Sequence, residues 1–383
     1  MPTITLNKTE LEKLVGKKLP LEQLKDRISM LGTDLEKIEG EEIHVEIFPN
    51  RPDMLSEQGF ARAFSSFIGV KTGLREYKIK RSGYKVIVDP SVTMRPYTAC
   101  ALVKNIIFTD ERIRELMQVQ EKLATTHGRN RKKSAYGIYP LQNIQFPIHY
   151  IAKDAAKIKF KPLGFHQEMV AADVAEVHPK GKAYKHLTEG WKKYPFFIDA
   201  ANQVLCMLPF TNSQDTGKVN EETKDVFVEC TGVDLPNVQV ALNILTTTLA
   251  DMGGDIYGLD IVYADKTLST PDLTPRKIKL DLDYLNKRLG LELKEKEVAL
   301  LLGRMGYGYE KGNALIPAYR ADILHQVDLM EDVAIAYGYE NFEEQIPNVA
   351  TIGEEDPFEK FVRKVREILV GVQLLEVKNY HLL

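Results

Sequence analysis

Residues 317–342, PAYRADILHQVDLMEDVAIAYGYENF, set four acids, Asp322, Asp328, Glu331 and Asp332, among apolar residues that recur at helical spacing. With a helix beginning at Asp322, the side chains of Ile323, Val327, Met330, Ala334 and Tyr337 fall on one seam. Asp322 then reads as the N-cap, and Gly338 as the residue that ends the helix. At about 3.6 residues per turn, Asp328, Glu331 and Asp332 lie within ~100° of one another, whereas Asp322 sits ~15 Å along the axis from Asp332. Two readings follow. The acids are the wet face and cap of an amphipathic helix, or two or three of them hold a hard cation with waters, as magnesium prefers.

Working outward, the 383 residues exceed one ordinary core, so two to four domains are expected. Hydrophobic and charged contents of 44% and 27% are those of a globular protein. No run approaches the ~18 apolar residues of a membrane span, and no signal pattern opens the chain, so no membrane partner and a cytoplasmic location are expected. Cys100, Cys206 and Cys230 are far apart and suggest neither a disulfide framework nor a zinc site. A net charge of −3 argues against indiscriminate nucleic-acid binding while leaving room for local basic patches.

The pattern predicts an α+β, multidomain chain with a mixed α/β domain and a winged-helix-like domain. Residues 1–85 form an N-terminal α+β module. Two short helices open it, with Thr9 and Glu12 at capping-box spacing. A strand carrying Ile43, Val45 and Ile47 follows, and then a helix capped by Ser56. Residues 86–268 read as strands (84–89, 101–108, 196–208 as a hairpin, 225–231, 256–263) with helices over 110–124 and 236–252. The first helix shows Ile113, Leu116, Met117 and Leu123 on one face. Residues 269–277 read as a linker, and 273–345 as the winged-helix-like unit. Residues 346–383 read as a linker, an amphipathic helix over 357–370 and the start of a strand at 376–383.

Two further constellations carry candidate chemistry. Arg129, Arg131, Lys132 and Lys133 crowd four cations into five positions, dense enough for phosphate contacts but equally a solvated loop. Trp191 and several tyrosines are available for stacking, yet nothing in the sequence interleaves them with these cations. Asn212, Ser213, Gln214 and Thr216 form a polar loop between strands, with Glu229 and Thr231 emerging from the next strand. Such a loop can offer amides and hydroxyls to a small polar ligand, or merely connect two strands. No Ser-His-Asp or Cys-His order and no Gly-rich phosphate loop is present.

Read in order, NRPDMLSEQGFAR (50–62), RPYTACALVKNI (95–106), VQEKLATTHGRNRKKSAYGI (119–138), TNSQDTGKVNEETKDVFVECTG (211–232), TPDLTP (270–275) and the opening stretch resemble one family. That family is the phenylalanyl-tRNA synthetase beta subunits of archaeal and eukaryotic type, and the likeness spans nearly the whole chain. The resemblance implies that 86–268 is a domain hydrolysing mischarged tRNA, and that 346–383 begins a synthetase-like domain most of which is missing. It implies an alpha-subunit partner in a two-plus-two heterotetramer, tRNA(Phe) as RNA partner, and ATP used by the full enzyme. Asn212, Ser213, Gln214, Thr216, Glu229 and Thr231 would then line the hydrolytic pocket. Gln214 would stand where bacterial relatives place a glutamate, and the four cations would lie near the terminal phosphates of the tRNA. Asp322, Asp328, Glu331 and Asp332 match a magnesium site shared with the alpha subunit. One departure stands out: Pro140 and Gln142 replace two acids common in the family. The alternative is therefore a non-enzymatic subunit that assembles the enzyme and positions tRNA, its editing domain silent.

Overall fold

The computed structural model describes residues 2–346 and 353–381 and divides into two compact units, Met1–Tyr339 and Glu340–Leu383. Parts of the expected linker after 346, and the last two residues of the strand expected over 376–383, lie outside the described residues.

The N-terminal module builds a three-stranded antiparallel sheet with Glu42–Glu46 between Thr3–Asn7 and Asp34–Glu39. Ile43, Val45 and Ile47 are fully buried, as the alternation requires. The two flanking strands were not anticipated, because their own alternation is diluted by Thr, Lys and Glu. The first helix, Lys8–Val15, is capped by Asn7, whose side chain accepts from the N–H of Glu10. Thr9 is therefore not the cap; its hydroxyl donates to Glu41 at 2.7 Å. Ser56 does cap the helix Glu57–Phe67, accepting from Gly59 N–H at 3.0 Å. That helix is buried almost all round, and Gly59 is required because a Cβ there would lie 2.0 Å from the Asp53 carbonyl oxygen.

A mixed ten-stranded sheet forms the centre. Its order runs Thr211–Asn212, Val204–Met207, Tyr194–Ile198, Ile148–Lys153, Ile79–Val88, Asp255–Val262, Tyr97–Lys104, Val226–Gly232, Ser134–Pro140, with Thr267–Thr270 also on Asp255–Val262. The strand Ile79–Val88 crosses the expected boundary at 85/86, and Thr267–Thr270 crosses the one at 268. Ladder pairing, which composition does not report, decides both. The helix Leu235–Asp251 packs on the sheet and has buried side chains all round. Complete burial of each large aliphatic side chain on it contributes ~1.5–3 kcal/mol. Its buried Thr246 and Thr247 hydroxyls donate to carbonyls one turn back, Leu242 and Asn243. The Thr248 hydroxyl lies 3.2 Å from that of Ser56.

The winged-helix-like unit follows as a strand (Arg276–Lys279), two helices (Leu282–Leu289 and Glu295–Arg304), two strands (Gly308–Glu310 and Asn313–Ile316) and a helix (Gln326–Tyr337). The central strand is Asn313–Ile316. The last helix starts four residues later than expected, with His325 as its cap and Asp328 returning a bond to the His325 N–H at 2.8 Å. Asp322 is not a cap. Its carboxylate takes a two-point contact from Arg320 at 2.8 and 2.7 Å, and Asp332 accepts from the same guanidinium at 2.8 Å. Tyr307 donates its hydroxyl to Asp332, and its ring lies 5.0 Å from the guanidinium.

In the second unit the helix Pro357–Gly371 forms as expected, with Asp356 accepting from the N–H groups of Phe358 and Glu359. Its apolar stripe, Phe358 and Ile368 included, is exposed. The strand expected from 376 is not formed over the described residues 376–381.

Arg320 is 3% exposed and holds two carboxylates, so its removal strands both in a buried setting. Arg320→Ala should destabilise the chain by ~3–5 kcal/mol, read by urea denaturation. Arg320→Lys should recover less than half of the loss, because an ammonium lacks the planar fork.

Candidate functional site

A cleft of about 650 Å³ opens on the central sheet beside the helix Asp110–Thr125 and the one-turn helix Gln214–Gly217. Its apolar surface comes from residues such as Ile113, Met117, Ile138, Leu208 and Phe210. Met117, placed by its spacing on one face with Leu116 and Leu123, is 65% exposed and forms part of this wall, whereas those two are buried. Polar groups on the cleft include Glu121, Arg131, His178, Lys180, Asn212 and Gln214.

The expected pocket residues divide. Asn212 and Gln214 line the cleft; Ser213, Thr216, Glu229 and Thr231 do not. Ser213 is buried as the cap of the short helix, and the Thr216 hydroxyl donates to the Val204 carbonyl at 3.2 Å. Their side chains maintain the loop's shape. Thr231 is fully buried, and its hydroxyl has no partner among the described residues. The Gln214 Oε1 accepts from the Gly164 N–H at 2.8 Å, tying the 163–166 segment down at the cleft.

Glu229 lies behind the wall and reaches it through Tyr139. The Tyr139 hydroxyl is 3.2 Å from Glu229 Oε1 and 3.1 Å from Asn212 Oδ1. Burial pushes the Glu229 carboxyl up to about 8, against the pull of the Tyr139 hydrogen bond and of Arg95 and Arg131. It is therefore predominantly protonated at neutral pH. One phenolic hydrogen cannot serve two acceptors. A protonated Glu229 donating to Tyr139, and Tyr139 donating to Asn212 Oδ1, accounts for both contacts of the Tyr139 hydroxyl and leaves the Asn212 amide hydrogens to the cleft, while Glu229 Oε2 has no partner among the described residues. Gly137 makes room for this chain: a Cβ there would lie 2.3 Å from the Tyr139 hydroxyl and 2.7 Å from Glu229 Oε1. Tyr139 was not singled out from the sequence, since a Tyr in a strand normally reports only packing.

Among the rim charges, burial raises the Glu121 carboxyl, but Lys180 at 2.6 Å and Arg131 overcome it and hold the acid below its ordinary range. His178 accepts from Lys180 N–H through Nδ1, and its Nε2 is 3.2 Å from the Leu163 carbonyl. Burial lowers its pKa, so the ring is neutral and structural.

The basic segment does not act as one patch. Arg129, Asn130 and Arg131 all adopt left-handed backbone, with φ of 49°, 53° and 62°, and this tight turn separates neighbouring side chains. Arg131 turns into the large cleft, donating to the carbonyls of Pro209 and Phe210 and lying 4.8 Å over the Tyr184 ring. Lys133 pairs with Asp234 at 3.3 Å. Arg129 and Lys132 remain exposed.

Within this chain the four acids do not gather around one point. Asp322 and Asp332 share Arg320, Asp328 caps the helix, and Glu331 accepts from the Tyr339 hydroxyl at 2.6 Å. No group of three or more His, Cys, Asp or Glu side chains able to hold a metal occurs among the described residues. The helical wheel, which grouped Asp328, Glu331 and Asp332, is overridden by Arg320, which joins Asp322 to Asp332 instead.

Residues 278–339, the winged-helix-like unit, match the tRNA synthetase B5 domain. The phenylalanine–tRNA ligase beta subunit of Pyrococcus abyssi is 38% identical over 392 aligned positions, spanning all of this chain and 70% of the relative. That of Archaeoglobus fulgidus is 42% identical over 387 positions, again spanning all of this chain and 70% of the relative. A crystal structure of an N-terminal fragment of the Pyrococcus horikoshii phenylalanyl-tRNA synthetase beta subunit superposes with a TM-score of 0.84. It is 38% identical and covers 88% of this chain and 100% of that fragment. The chain belongs to the phenylalanine–tRNA ligase beta subunit family.

A carboxyl raised from 4.5 to about 8 holds a proton in the folded state that the unfolded chain has released, so stability falls as pH rises through that interval. Glu229→Gln should match wild type near pH 4.5 and exceed its melting temperature by roughly 3 °C or more at pH 8.5, measured calorimetrically. Glu57, pushed up to about 8 by burial and then by Glu115, contributes the same slope to both proteins and cancels in the difference.

Proposed function

We propose that the chain handles tRNA(Phe) for a phenylalanine–tRNA ligase in which an alpha subunit activates phenylalanine with ATP, in a two-plus-two assembly. We further propose that its large cleft hydrolyses tyrosyl-tRNA(Phe). The need is set by magnitudes. Tyrosine differs from phenylalanine by one hydroxyl, and an apolar pocket rejects an added hydroxyl by only roughly a hundredfold. A second, hydrolytic site restores accuracy.

The observation that carries this reading is the Asn212 amide on a cleft of about 650 Å³, held by Tyr139 and through it by Glu229. That volume falls within the ~300–1,000 Å³ of small-molecule sites. Water attacks the ester carbonyl carbon, the carbonyl oxygen gains charge beside the Asn212 amide, and the bond to the ribose oxygen breaks. The departing ribose oxygen takes a proton from the attacking water and becomes a hydroxyl, releasing tyrosine and uncharged tRNA. Tyr139 and Glu229 position Asn212. No step is routed through the four acids or a magnesium ion, since those acids are engaged within the chain.

Pro140 and Gln142, where the family commonly has acids, do not line the cleft. Pro140 ends an edge strand, where a missing N–H is tolerated, and Gln142 is exposed in a short turn. A silent editing domain remains the second reading, favoured by the burial of Ser213, Thr216 and Thr231.

Hydrolysis of tyrosyl-tRNA(Phe) by the 383-residue chain separates the two readings. An active cleft deacylates faster than buffer, and Asn212→Ala slows it ~10²–10³-fold with tRNA affinity nearly unchanged. A rate equal to that of buffer, from a folded protein, leaves the assembly role alone standing.

A further inference from the structure

A second cleft, of about 500 Å³, lies beyond the basic turn and is lined by Arg95, Lys132, His186 and Trp191 with three apolar side chains. None of its lining residues is acidic. Arg95 is 2% exposed, and among the described residues its guanidinium donates to two carbonyls, of Arg131 at 2.9 Å and Thr231 at 3.0 Å. Its Nε has no partner among the described residues. A buried cation satisfied by neutral dipoles alone leaves the cleft positively biased. Lys132 lines the cleft and is exposed, so it adds to that bias.

Trp191 gives the cleft a flat face. The indole is half-buried and held edge-on by Tyr194 at 5.9 Å, and Tyr194 in turn packs 6.1 Å from Phe210. Phe210 lines the large cleft, and Arg131 bonds its carbonyl. The consecutive residues Arg131 and Lys132 thus line different clefts from one turn. Fold geometry has brought the Trp191 face together with Lys132 and Arg95, which lie far from it in sequence.

We infer that this second cleft is a nucleotide subsite for single-stranded RNA, with a base stacked on Trp191 and its phosphate held by Lys132 and His186 over Arg95. A base supplies the π-face that an indole accepts whatever its identity, and the phosphate supplies the charge that Arg95 and Lys132 lack. The inference rests on the tRNA-handling role proposed above, and it adds where a neighbouring nucleotide sits while the aminoacyl end occupies the large cleft.

Trp191 is the only tryptophan, so its fluorescence reports this cleft directly. The trinucleotide CpCpA, with which tRNAs end, should quench it saturably, whereas inorganic phosphate and cytidine at equal concentration should not. Calorimetry should find CpCpA binding weakened about tenfold by Trp191→Ala and less by Trp191→Phe. Lys132→Ala should lower the salt slope by about 0.7, the value for one phosphate contact on a single strand. Equal quenching by phosphate alone, no saturable quenching by CpCpA, or unchanged affinity in folded Trp191→Ala and Lys132→Ala proteins would each overturn the subsite. The two proposals fail separately. CpCpA binding without deacylation retains this subsite and removes the hydrolytic reading. Deacylation whose KM is unmoved by Trp191→Ala does the reverse.

Discussion

The guanidinium of Arg320 is the constraint around which the main unit is arranged. It joins Asp322 and Asp332 in a setting with almost no access to water, beside a second buried pair, Arg51 with Asp53. A third cation, Arg62, reaches Asp251 at 2.6 Å while lying 4.0 Å over the Tyr319 ring. Three modules therefore meet through charges that must find each other. Burial raises the Asp322 carboxyl, but Arg320 prevails and holds it below its ordinary range. Such a network adds little net stability compared with apolar packing, because desolvation offsets most of the attraction. What it supplies is specificity of docking, since any misregister leaves a charge buried alone.

Around that junction the packing is apolar and continuous. One core cluster runs from Ile4 and Phe60 through Leu242 and Leu245 to Leu302 and Val333, across all three modules. Ser66 donates to the Gly303 carbonyl, and Arg304 donates to those of Phe67 and Ala336. The helix Leu235–Asp251 is fixed on one side by the sheet and on others by its neighbours. The sheet strands carrying Tyr139 and Glu229 are held accordingly, which fixes the groups behind the large cleft in place.

Much of this architecture was legible in residue patterns. Ser56 and Gly338 mark helix ends, because caps and positive-φ turns are local chemistry. The buried alternation of Ile43, Val45 and Ile47 gives a strand for the same reason. The strands Ser134–Pro140 and Ile148–Lys153 were not legible: their pattern is mixed, and only partners distant in sequence make them strands. The candidate site divides along the same line. Asn212 and Gln214 line the cleft, whereas Ser213 and Thr216, equally polar, serve the loop itself.

Spacings within a few turns were enough for the long helices, the Ser56 cap and the Ile43–Ile47 strand, and motifs kept in order were enough for the family; the caps Asn7 and His325 and the short helices Ala171–Val177 and Pro179–Tyr184 were not legible that way. Long-range packing sets which acids share a cation, which polar loop residues meet the cleft, and that Trp191 stands with Lys132. A helical wheel sees one element, but a buried charge is neutralised by whatever the fold brings within about 3 Å. Thus Asp322 and Asp332 belong to Arg320, and Glu229 is a neutral acid behind Tyr139, because burial and long-range pairing set protonation and partners that no local pattern contains.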